Sequence, residues 1–186
     1  MSKVIIRNQF YQTRLWMKLF LFVFIFPSLI FCQSKTDIHI LNPDYGKMLN
    51  KFLSHTVPEM SCKELSGNFE NYILLDTRTK EEFDLSHLKN ARWIDYNNFK
   101  LSLIKDLPTD KAIVCYCSIG YRSEKIAKKL IQNGYKNVHN LYGSIFEWTN
   151  LNLPLYNNNA EITFSIHGYN KKWSRWIDNK NIKIIY

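Results

Sequence analysis

The fold of this chain is decided by the stretch Ala112-Ile113-Val114-Cys115-Tyr116, which runs on into Cys117-Ser118-Ile119-Gly120-Tyr121-Arg122. The first five residues have the apolar character of a buried strand, and a helix-like pattern begins at Ser123. A strand, a tight loop containing glycine and a helix build an anion cradle, because the loop N–H groups and the helix dipole point at one spot. A cysteine at the mouth of such a cradle is expected to be partly thiolate, so Cys117 is the predicted catalytic residue.

Strand-like and helix-like segments alternate along the rest of the chain. The predicted strands are residues 72–76, 91–95, 112–116 and 138–141. The predicted helices are 61–67 and one from Thr79, each opened by a capping-box pattern, then 97–104, 123–134 and 143–150. Phe83 is expected on the inward face of the Thr79 helix. This alternation predicts an α/β fold with a parallel sheet. Such sheets bind ligands at the carboxyl ends of their strands, and Asp76 and Cys117 both lie at such ends.

The composition is that of a folded domain with a mildly basic surface. The chain has 186 residues, of which 46% are hydrophobic and 15% aromatic, which supports a core and excludes a disordered chain. The net charge is +9, but four basic residues lie within residues 1–32 and the others are scattered. We therefore expect a solvated basic surface and no nucleic-acid partner.

The four cysteines are Cys32, Cys62, Cys115 and Cys117, which are too few for a disulfide scaffold. One residue separates Cys115 from Cys117, which is not the C-x-x-C spacing of zinc or thioredoxin-like sites, so no metal and no cofactor is expected. Cys115 is predicted to be buried on its strand. Cys62 would resolve a persulfide on Cys117, as in a redox protein, only if folding brings the two sulfurs together.

Residues 1–32 are predicted to be a signal peptide or membrane anchor. Lys18 precedes a short apolar stretch, residues 19–31, as in secretory signals, whereas a transmembrane helix needs about 20 apolar residues. Cleavage after Cys32, lipidation of Cys32 and an uncleaved anchor stay open, as does translation from Met17 instead of Met1. Each alternative places the domain outside the cytoplasm, periplasmic or secreted, with membrane contact only through this segment.

Two segments flank the predicted domain of residues 57–154. Residues 33–56 form a helical lead-in, because Asn42-Pro43 resembles a helix start and apolar residues follow at helical spacing. Residues 155–186 form a C-terminal extension with a strand-like alternation of Ile162, Phe164 and Ile166. Its Trp173, Trp176 and Ile177 lie at helical spacing. We expect both segments to pack onto the domain. The alternative for the lead-in is a partner-binding helix, and the alternative for the extension is contact with a protein partner or a membrane surface.

Residues 74–154 resemble a single-domain rhodanese, a sulfurtransferase. The matching stretches are, in order, Leu75-Asp76-Thr77-Arg78 with Glu82-Phe83, His87-Leu88 with Ala91, the loop from Cys117 to Ser123, Gly134-Tyr135 with Val138 and Leu141, and Gly143 with Trp148. Any one stretch is weak alone, whereas the ordered set is specific. The resemblance implies a five-stranded parallel sheet flanked by helices on both faces.

The resemblance also implies an activity and a set of site residues. Cys117 would take sulfane sulfur from thiosulfate or a persulfide and pass it to a thiol or cyanide acceptor. The residues implied to bind the substrate are Ser118, Ile119, Gly120, Tyr121 and Arg122, with Asp76, Arg78 and Ser123 in support. Four residues separate Cys117 from Arg122, one fewer than in the related phosphatases, which favours sulfur over phosphate chemistry.

Two departures from the family pattern leave the local loop shape open. Ser86-His87-Leu88-Lys89-Asn90-Ala91 stands where a Gly-His-Ile-Pro-Gly-Ala-like run is usual, and Gly143-Ser144 stands where paired glycines are usual. Ile119 and Tyr121 make the loop less cationic than in some thiosulfate-specific members, which leaves the sulfur donor open. The alternative function is a non-enzymatic sulfur-carrier or protein-binding module outside the cytoplasm.

Overall fold

A five-stranded sheet forms the centre of the part of the chain that the computed structural model describes, residues 38–186. Its strands are β1 (Glu59–Met60), β2 (Ile73–Asp76), β3 (Arg92–Trp93), β4 (Ala112–Tyr116) and β5 (Asn137–Leu141). Neighbouring strands all pair in parallel, in the order β1-β5-β4-β2-β3. This confirms the predicted parallel α/β sheet, with β4 at its centre. The predicted signal or anchor, residues 1–32, lies outside the described residues.

Helices and short strands surround this sheet. The α-helices are α1 (Pro43–Phe52), α2 (Cys62–Gly67), α3 (Lys80–Leu85), α4 (Tyr121–Gln132), α5 (Ser144–Asn150) and α6 (Lys171–Ser174). Short 3-10 helices are Phe69–Asn71 and Leu101–Ile104, and the remaining strands are β6 (Leu155–Tyr156), β7 (Ile162–Thr163), β8 (Ser165–His167) and β9 (Lys183–Ile185). Within residues 38–186, no helix is long and apolar enough to cross a membrane.

Polar side chains start the helices at the predicted places. The Asn42 side chain accepts hydrogen bonds from the N–H groups of Asp44 (2.9 Å) and Tyr45 (3.2 Å) at the start of α1. At α3 the capping box is complete, because Thr79 N donates to Glu82 Oε2 (3.0 Å) and Glu82 N donates to Thr79 Oγ1 (3.4 Å). These bonds satisfy N–H groups that a helix start otherwise leaves without partners.

The residues of β4 alternate between two hydrophobic clusters, as successive side chains of a strand must. Val114 and Tyr116 belong to the larger cluster, and Ile113 and Cys115 to the smaller one. The larger cluster contains side chains of α1, α2 and α5, and the smaller one side chains of α4. Helices therefore cover both faces of the sheet, as predicted, and β4 is sealed between them.

Both flanking segments contribute to the larger cluster. Its members from outside the central stretch are Ile40, Tyr45, Leu49, Leu53, Leu155, Ile166 and Ile177. The rings of Tyr45 and Trp176 stack with centroids 5.5 Å apart, so the two flanks also contact each other. This packing is what the apolar spacing of α1 predicts, and it holds α1 and the C-terminal extension against the rest of the larger cluster.

The prediction of one strand containing Ile162, Phe164 and Ile166 is wrong, because the structure has two separate strands here. The segment forms two strands with different partners, because β7 pairs antiparallel with β6 whereas β8 pairs in parallel with β9. Ile166 is fully buried, but Phe164 remains 69% exposed. The helix predicted around Trp173 is confined to the four residues of α6.

Other corrections concern the ends of elements. The helix predicted over residues 97–104 shrinks to the 3-10 turn Leu101–Ile104, and the strand predicted over 91–95 to the two residues of β3. Helix α4 starts at Tyr121 instead of Ser123, because Gly120 takes a left-handed conformation and caps it. On α3 the fully buried side chain is Glu82, whereas Phe83 is half-buried and stacks on His87.

Candidate active site

The loop between β4 and α4 wraps around the sulfur of Cys117. Its carbonyl groups are held away from the sulfur, because Ile145 N donates to Cys117 O and Phe146 N donates to Ser118 O, each at 3.2 Å. The N–H of Gly120 points the other way and donates to Cys117 Sγ at 3.2 Å. The first N–H groups of α4 have no partner within their helix, and that of Ser123 interacts with the Cys117 sulfur. The first turn of α5 thus fixes the predicted N–H cradle in place.

Gly120 is required by its backbone angle, and its surroundings leave little room for a side chain. Its φ is +112°, a conformation that side chains rarely adopt. A Cβ at this position would lie 3.3 Å from Leu53 Cδ1 and 3.4 Å from Asn140 Nδ2. The lead-in helix region and β5 therefore close around the loop from two sides, and no other residue would fit here without strain.

Arg122 is held by a carboxylate that the sequence analysis did not include in the site. Arg122 Nη1 donates to Glu82 Oε2 at 2.7 Å and Nη2 to Glu82 Oε1 at 2.8 Å, which is a two-pronged ion pair. Arg122 Nη2 also donates to Ser118 Oγ (2.9 Å), and that hydroxyl donates to Glu82 Oε1 (2.9 Å). Glu82 thereby ties α3 to both ends of the Cys117 loop.

The charge of this pair is stable at neutral pH. Burial opposes the Glu82 charge, but the hydrogen bonds and charge of Arg122, with the charge of Arg78, outweigh it and lower the pKa of Glu82 to about 2. Burial likewise opposes the Arg122 charge, but its bonds to Glu82 keep the pKa of Arg122 above its ordinary value. Both groups are therefore ionised wherever Cys117 reacts.

The environment of Cys117 favours its thiolate. The side chain is 1% exposed, and burial raises a thiol pKa, but the Arg122 charge and the N–H groups of Ser123 and Gly120 outweigh burial and lower the pKa of Cys117. The Ser123 hydroxyl donates its one proton to Asn140 Oδ1 at 2.7 Å, so the backbone N–H is the Ser123 group that stabilises the thiolate. A thiolate is the form that the predicted nucleophilic role of Cys117 requires.

The other two described cysteines have no such environment. Cys115 is fully buried on β4, as predicted, and burial together with the Cys117 charge raises its pKa strongly. Cys62 is 2% exposed at the start of α2, where its sulfur faces the carbonyls of Tyr142 and Ser144. Burial and the charge of Glu147 raise the pKa of Cys62 as well. Both thiols stay protonated near neutral pH, and resolution of a persulfide by Cys62 stays a prediction.

Asp76 and Arg78, predicted as supporting residues, form a buried ion pair at the end of β2. Arg78 Nη2 donates to Asp76 Oδ2 at 2.7 Å and to Ser86 O at 2.5 Å, and both side chains of the pair are 0% exposed. Asp76 pairs in register with Tyr116, the last residue before Cys117. The pair thus lies beside the end of β4, from which the Cys117 loop departs.

Ser144 is a second residue that the sequence analysis missed. It occupies a left-handed conformation (φ +54°) beside Gly143, where the family usually has a second glycine. Its hydroxyl accepts a hydrogen bond from Cys117 N at 2.9 Å. The departure therefore adds a bond that positions the cysteine backbone. The only available signal was the departure itself, because residue type does not reveal a long-range contact.

At the other departure, Asn90 stands where the family run usually has glycine. Asn90 takes a left-handed conformation (φ +57°), which Asn tolerates better than most side chains. His87 has structural contacts: its backbone pairs with Tyr156 at 2.8 and 2.9 Å, and Nδ1 lies 3.0 Å from Phe83 O. The Ser86–Ala91 region therefore serves to tie α3 and its Glu82 to β6.

A cavity of about 330 Å³ opens above Cys117. The predicted residues Ser118, Ile119, Tyr121 and Arg122 line it, together with Thr79, Tyr96 and Asn97. Its remaining walls come from the two flanks: Phe52, Tyr169 and Trp173. Gly120 and Ser123 do not line the cavity, although the Gly120 N–H donates to the sulfur. Asp76 and Arg78 are fully buried and do not line it either.

Known proteins match the centre of the chain. Residues 61–151 match the profile of the rhodanese-like domain. The tRNA uridine(34) hydroxylase of Streptococcus thermophilus is 38% identical over 81 residues, and that of Streptococcus gordonii 37%. Those residues make up 41% of this chain and 25% of each relative, so the chain spans about a quarter of the length of these relatives.

Solved structures share the fold. The BH2092 protein from Bacillus halodurans has a TM-score of 0.50 and 27% identity, over 62% of this chain and 87% of that one. A thiosulfate sulfurtransferase from Pseudomonas aeruginosa has a TM-score of 0.52 over 64% of this chain and 23% of that one, with 14% identity. The sheet, the Cys117 loop and these matches agree: residues 61–151 of the chain form a rhodanese-like domain.

Proposed function

We propose that this protein is a sulfurtransferase that moves sulfane sulfur from thiosulfate or a persulfide to a thiol or cyanide acceptor through a persulfide on Cys117. One observation carries the proposal. The Cys117 sulfur lies inside the loop, receives the Gly120 N–H at 3.2 Å and has a lowered pKa, whereas Cys62 and Cys115 have raised values. This is the environment that a nucleophile and an anionic persulfide both require.

The first half-reaction loads the cysteine. The Cys117 thiolate attacks the outer sulfur of the donor, so a bond forms between Sγ and that sulfur while the S–S bond of the donor breaks. With thiosulfate the electron pair leaves on sulfite, and with a persulfide it leaves on a thiolate. The new terminal sulfur carries the negative charge, which the positive end of α4 would stabilise.

The second half-reaction unloads it. A thiolate or cyanide acceptor attacks the terminal sulfur, and the electron pair of the Sγ–S bond returns to Cys117. Because the thiolate is the leaving group, the same features that lower the pKa of Cys117 favour this step. Residues that position Arg122 and the loop therefore support both the loading and the unloading of Cys117.

Mass spectrometry of the full-length protein tests the proposal. After incubation with thiosulfate or a small-molecule persulfide, the protein should gain the mass of one sulfur atom on the peptide that contains Cys117. Cys117→Ser should abolish both the mass gain and turnover with cyanide, while the matched control Cys115→Ala keeps them. Full turnover by Cys117→Ser would refute the proposal.

The alternative, a sulfur-carrier or binding module, predicts a different result. The loop would then accept sulfur without turnover, and a partner isolated with the native protein would bind Cys117→Ser normally. The similarity to tRNA uridine(34) hydroxylases supports only the shared domain, because it spans 25% of those proteins. Hydroxylation is therefore not part of the proposal.

We further propose that the domain works outside the cytoplasm. The support is the sequence of residues 1–32, in which Lys18 precedes the apolar stretch 19–31. Mass spectrometry of protein isolated from its native cell would give the mature N-terminus and any lipid on Cys32. A protein that starts at Met1 or Met17 and is recovered from the cytoplasm would contradict this proposal.

A further inference from the structure

We propose that the cavity above Cys117 contains an apolar subsite, built by the two flanking segments, that selects sulfur donors carrying an aromatic or alkyl group over thiosulfate. This inference rests on the proposed function and specifies its donor class. The donors meant are organic persulfides and their stable analogues, the organic thiosulfonates. Their sulfane sulfur would face Cys117, and their organic group would lie against the subsite.

Three aromatic side chains define the subsite, Phe52, Tyr169 and Trp173, and all lie outside the matched residues 61–151. Phe52 ends α1, and its ring centroid lies 5.0 Å from those of both Tyr121 and Trp173. Tyr169 precedes α6, and its ring lies 5.2 Å from the Arg122 guanidinium carbon. The lead-in and the C-terminal extension thus meet at the mouth of the site and give it an aromatic wall.

This wall is exposed in spite of its apolar character. Phe52 is 40% exposed and Tyr169 is 48% exposed, although both border the cavity that leads to a cysteine that is 1% exposed. Exposed apolar surface beside a reactive group is favourable to cover, and an organic group entering the cavity would cover it. The cavity volume of about 330 Å³ lies in the range of small-molecule sites, which leaves room beside the sulfur for such a group.

The charges in the cavity point to the same donor class. Among the described residues that line it, Arg122 is the one cationic side chain, and Glu82 neutralises it through two hydrogen bonds. Thiosulfate is a dianion and would bring a second charge that this paired arginine compensates poorly. An organic thiosulfonate or persulfide anion brings a single charge, which the loop N–H groups can accept, and it places its uncharged group on the aromatic wall.

The reaction with a thiosulfonate balances without any added oxidant. The Cys117 thiolate attacks the terminal sulfur of R–SO₂–S⁻, the bond between that sulfur and the sulfonyl sulfur breaks, and R–SO₂⁻ leaves with the electron pair. Cys117 becomes the persulfide, Cys–S–S⁻, so one charge stays on the protein and one leaves. An organic persulfide, R–S–SH, reacts in the same way and leaves R–S⁻, with its proton on the new persulfide or in solvent.

The test compares three donors on the full-length protein: thiosulfate, methanethiosulfonate and benzenethiosulfonate. The rate of Cys117 persulfide formation is followed by mass spectrometry at subsaturating donor. We expect benzenethiosulfonate to exceed thiosulfate by more than tenfold. Intrinsic reactivity differs among the donors, so the decisive quantity is the change of their ratio between wild type and variants, in which this difference cancels.

Two variants remove the wall and one serves as its control. Phe52→Ala and Tyr169→Asn should each lower the benzene-to-methane ratio about three- to tenfold, and should lower the rate for benzenethiosulfonate more than the rate for thiosulfate. Asn is chosen because Tyr169 has a left-handed backbone (φ +62°), which Asn tolerates. Phe164→Ala is the matched control, because Phe164 is 69% exposed and does not line the cavity, and it should leave every ratio unchanged.

Each other outcome overturns a distinct statement. Persulfide formation from all donors with ratios that the wall variants leave unchanged refutes the subsite and leaves the proposed function intact. An equal loss of rate with all three donors also refutes the subsite, because the aromatic side chains would then only stabilise the Cys117 loop. No persulfide from any donor refutes the proposed function, and the subsite with it. Thermal unfolding of each variant separates loss of fold from loss of selectivity.

Discussion

Two arginine–carboxylate pairs lie at the ends of neighbouring elements, and they differ in what surrounds them. Asp76 and Arg78 meet at 2.7 Å with both side chains 0% exposed, whereas Glu82 and Arg122 meet at the same distance with Arg122 15% exposed. The first pair joins residues two positions apart, and the second joins residues forty positions apart. The first ion pair is therefore local to the end of β2, whereas the second connects α3 with α4.

Their surroundings indicate different roles. The Arg78 guanidinium is enclosed by Asp76, Ser86 O and the ring of Tyr116, and its Nη1 has no hydrogen-bond partner among the described residues. The Arg122 guanidinium opens onto the cavity and lowers the pKa of Cys117. An ion pair with an open side can serve a reaction, whereas a sealed one only fixes the fold.

The largest effect is expected when the sealed pair is broken. Asp76→Asn keeps the shape of the side chain but leaves the buried Arg78 charge without its counter-charge, so the free energy of unfolding should fall by about 3–5 kcal/mol. Urea denaturation measures this change. Asp44→Asn, which affects the exposed pair of Asp44 and Lys47, is the control and should change little. A loss below about 1 kcal/mol at Asp76 would mean that water reaches Arg78.

A smaller effect, on reactivity, is expected when the open pair loses its arginine. Arg122→Met removes the charge that lowers the pKa of Cys117 and leaves the Glu82 carboxylate without its counter-charge. The pKa of Cys117 should rise, and alkylation of Cys117 by iodoacetamide at pH 7 should slow about 10- to 100-fold, a change of about 1.4–2.7 kcal/mol.

The pH profile checks the sign of this effect. In the wild type the alkylation rate should fall as the pH drops through a midpoint below the ordinary thiol value, because the thiolate is then protonated. In Arg122→Met the midpoint should lie higher, so that the two rates converge at alkaline pH. Arg92→Met, at the exposed pair with Asp106, is the matched control. An unchanged midpoint in Arg122→Met would assign the low pKa to the loop N–H groups alone.

The Cys117 loop was predictable because its determinants are contiguous in sequence. The apolar run of β4, Gly120 and the start of α4 follow one another directly, and hydrophobic periodicity with a single glycine is enough to place the cysteine. The parallel sheet was predictable for the same reason, since each of its longer strands is followed by its own helix. Caps at Asn42 and Thr79 gave helix starts to the residue.

The parts that sequence reasoning missed depend on contacts between distant segments. Glu82 was identified as a helix cap, but its second role needs Arg122, forty residues away, and no local pattern encodes that distance. The contact of Ser144 with Cys117 N spans 27 residues. Likewise, Phe52 and Tyr169 reach the site only because the two flanks pack into the larger cluster. Local signals place elements, and tertiary packing decides which side chains meet.

The smallest effect is expected when the open pair loses its carboxylate, the isosteric change matched to Asp76→Asn. Glu82→Gln leaves Arg122 charged, but the cavity can solvate it and Ser118 still accepts one of its hydrogen bonds. The free energy of unfolding should therefore fall by about 1 kcal/mol, well below the loss at Asp76. Urea denaturation of both variants under one set of conditions gives the comparison directly.

The same variant should change the chemistry in the opposite direction from Arg122→Met. With its counter-charge gone, Arg122 acts on the sulfur and on incoming anions alone, so the midpoint for Cys117 alkylation should fall and use of thiosulfate should rise severalfold relative to benzenethiosulfonate. The double variant Arg122→Met with Glu82→Gln should lose this gain, because no unpaired charge remains. If Glu82→Gln lost as much unfolding free energy as Asp76→Asn and left the donor preference unchanged, both ion pairs would be structural. The difference in exposure between the two pairs would then have no functional consequence.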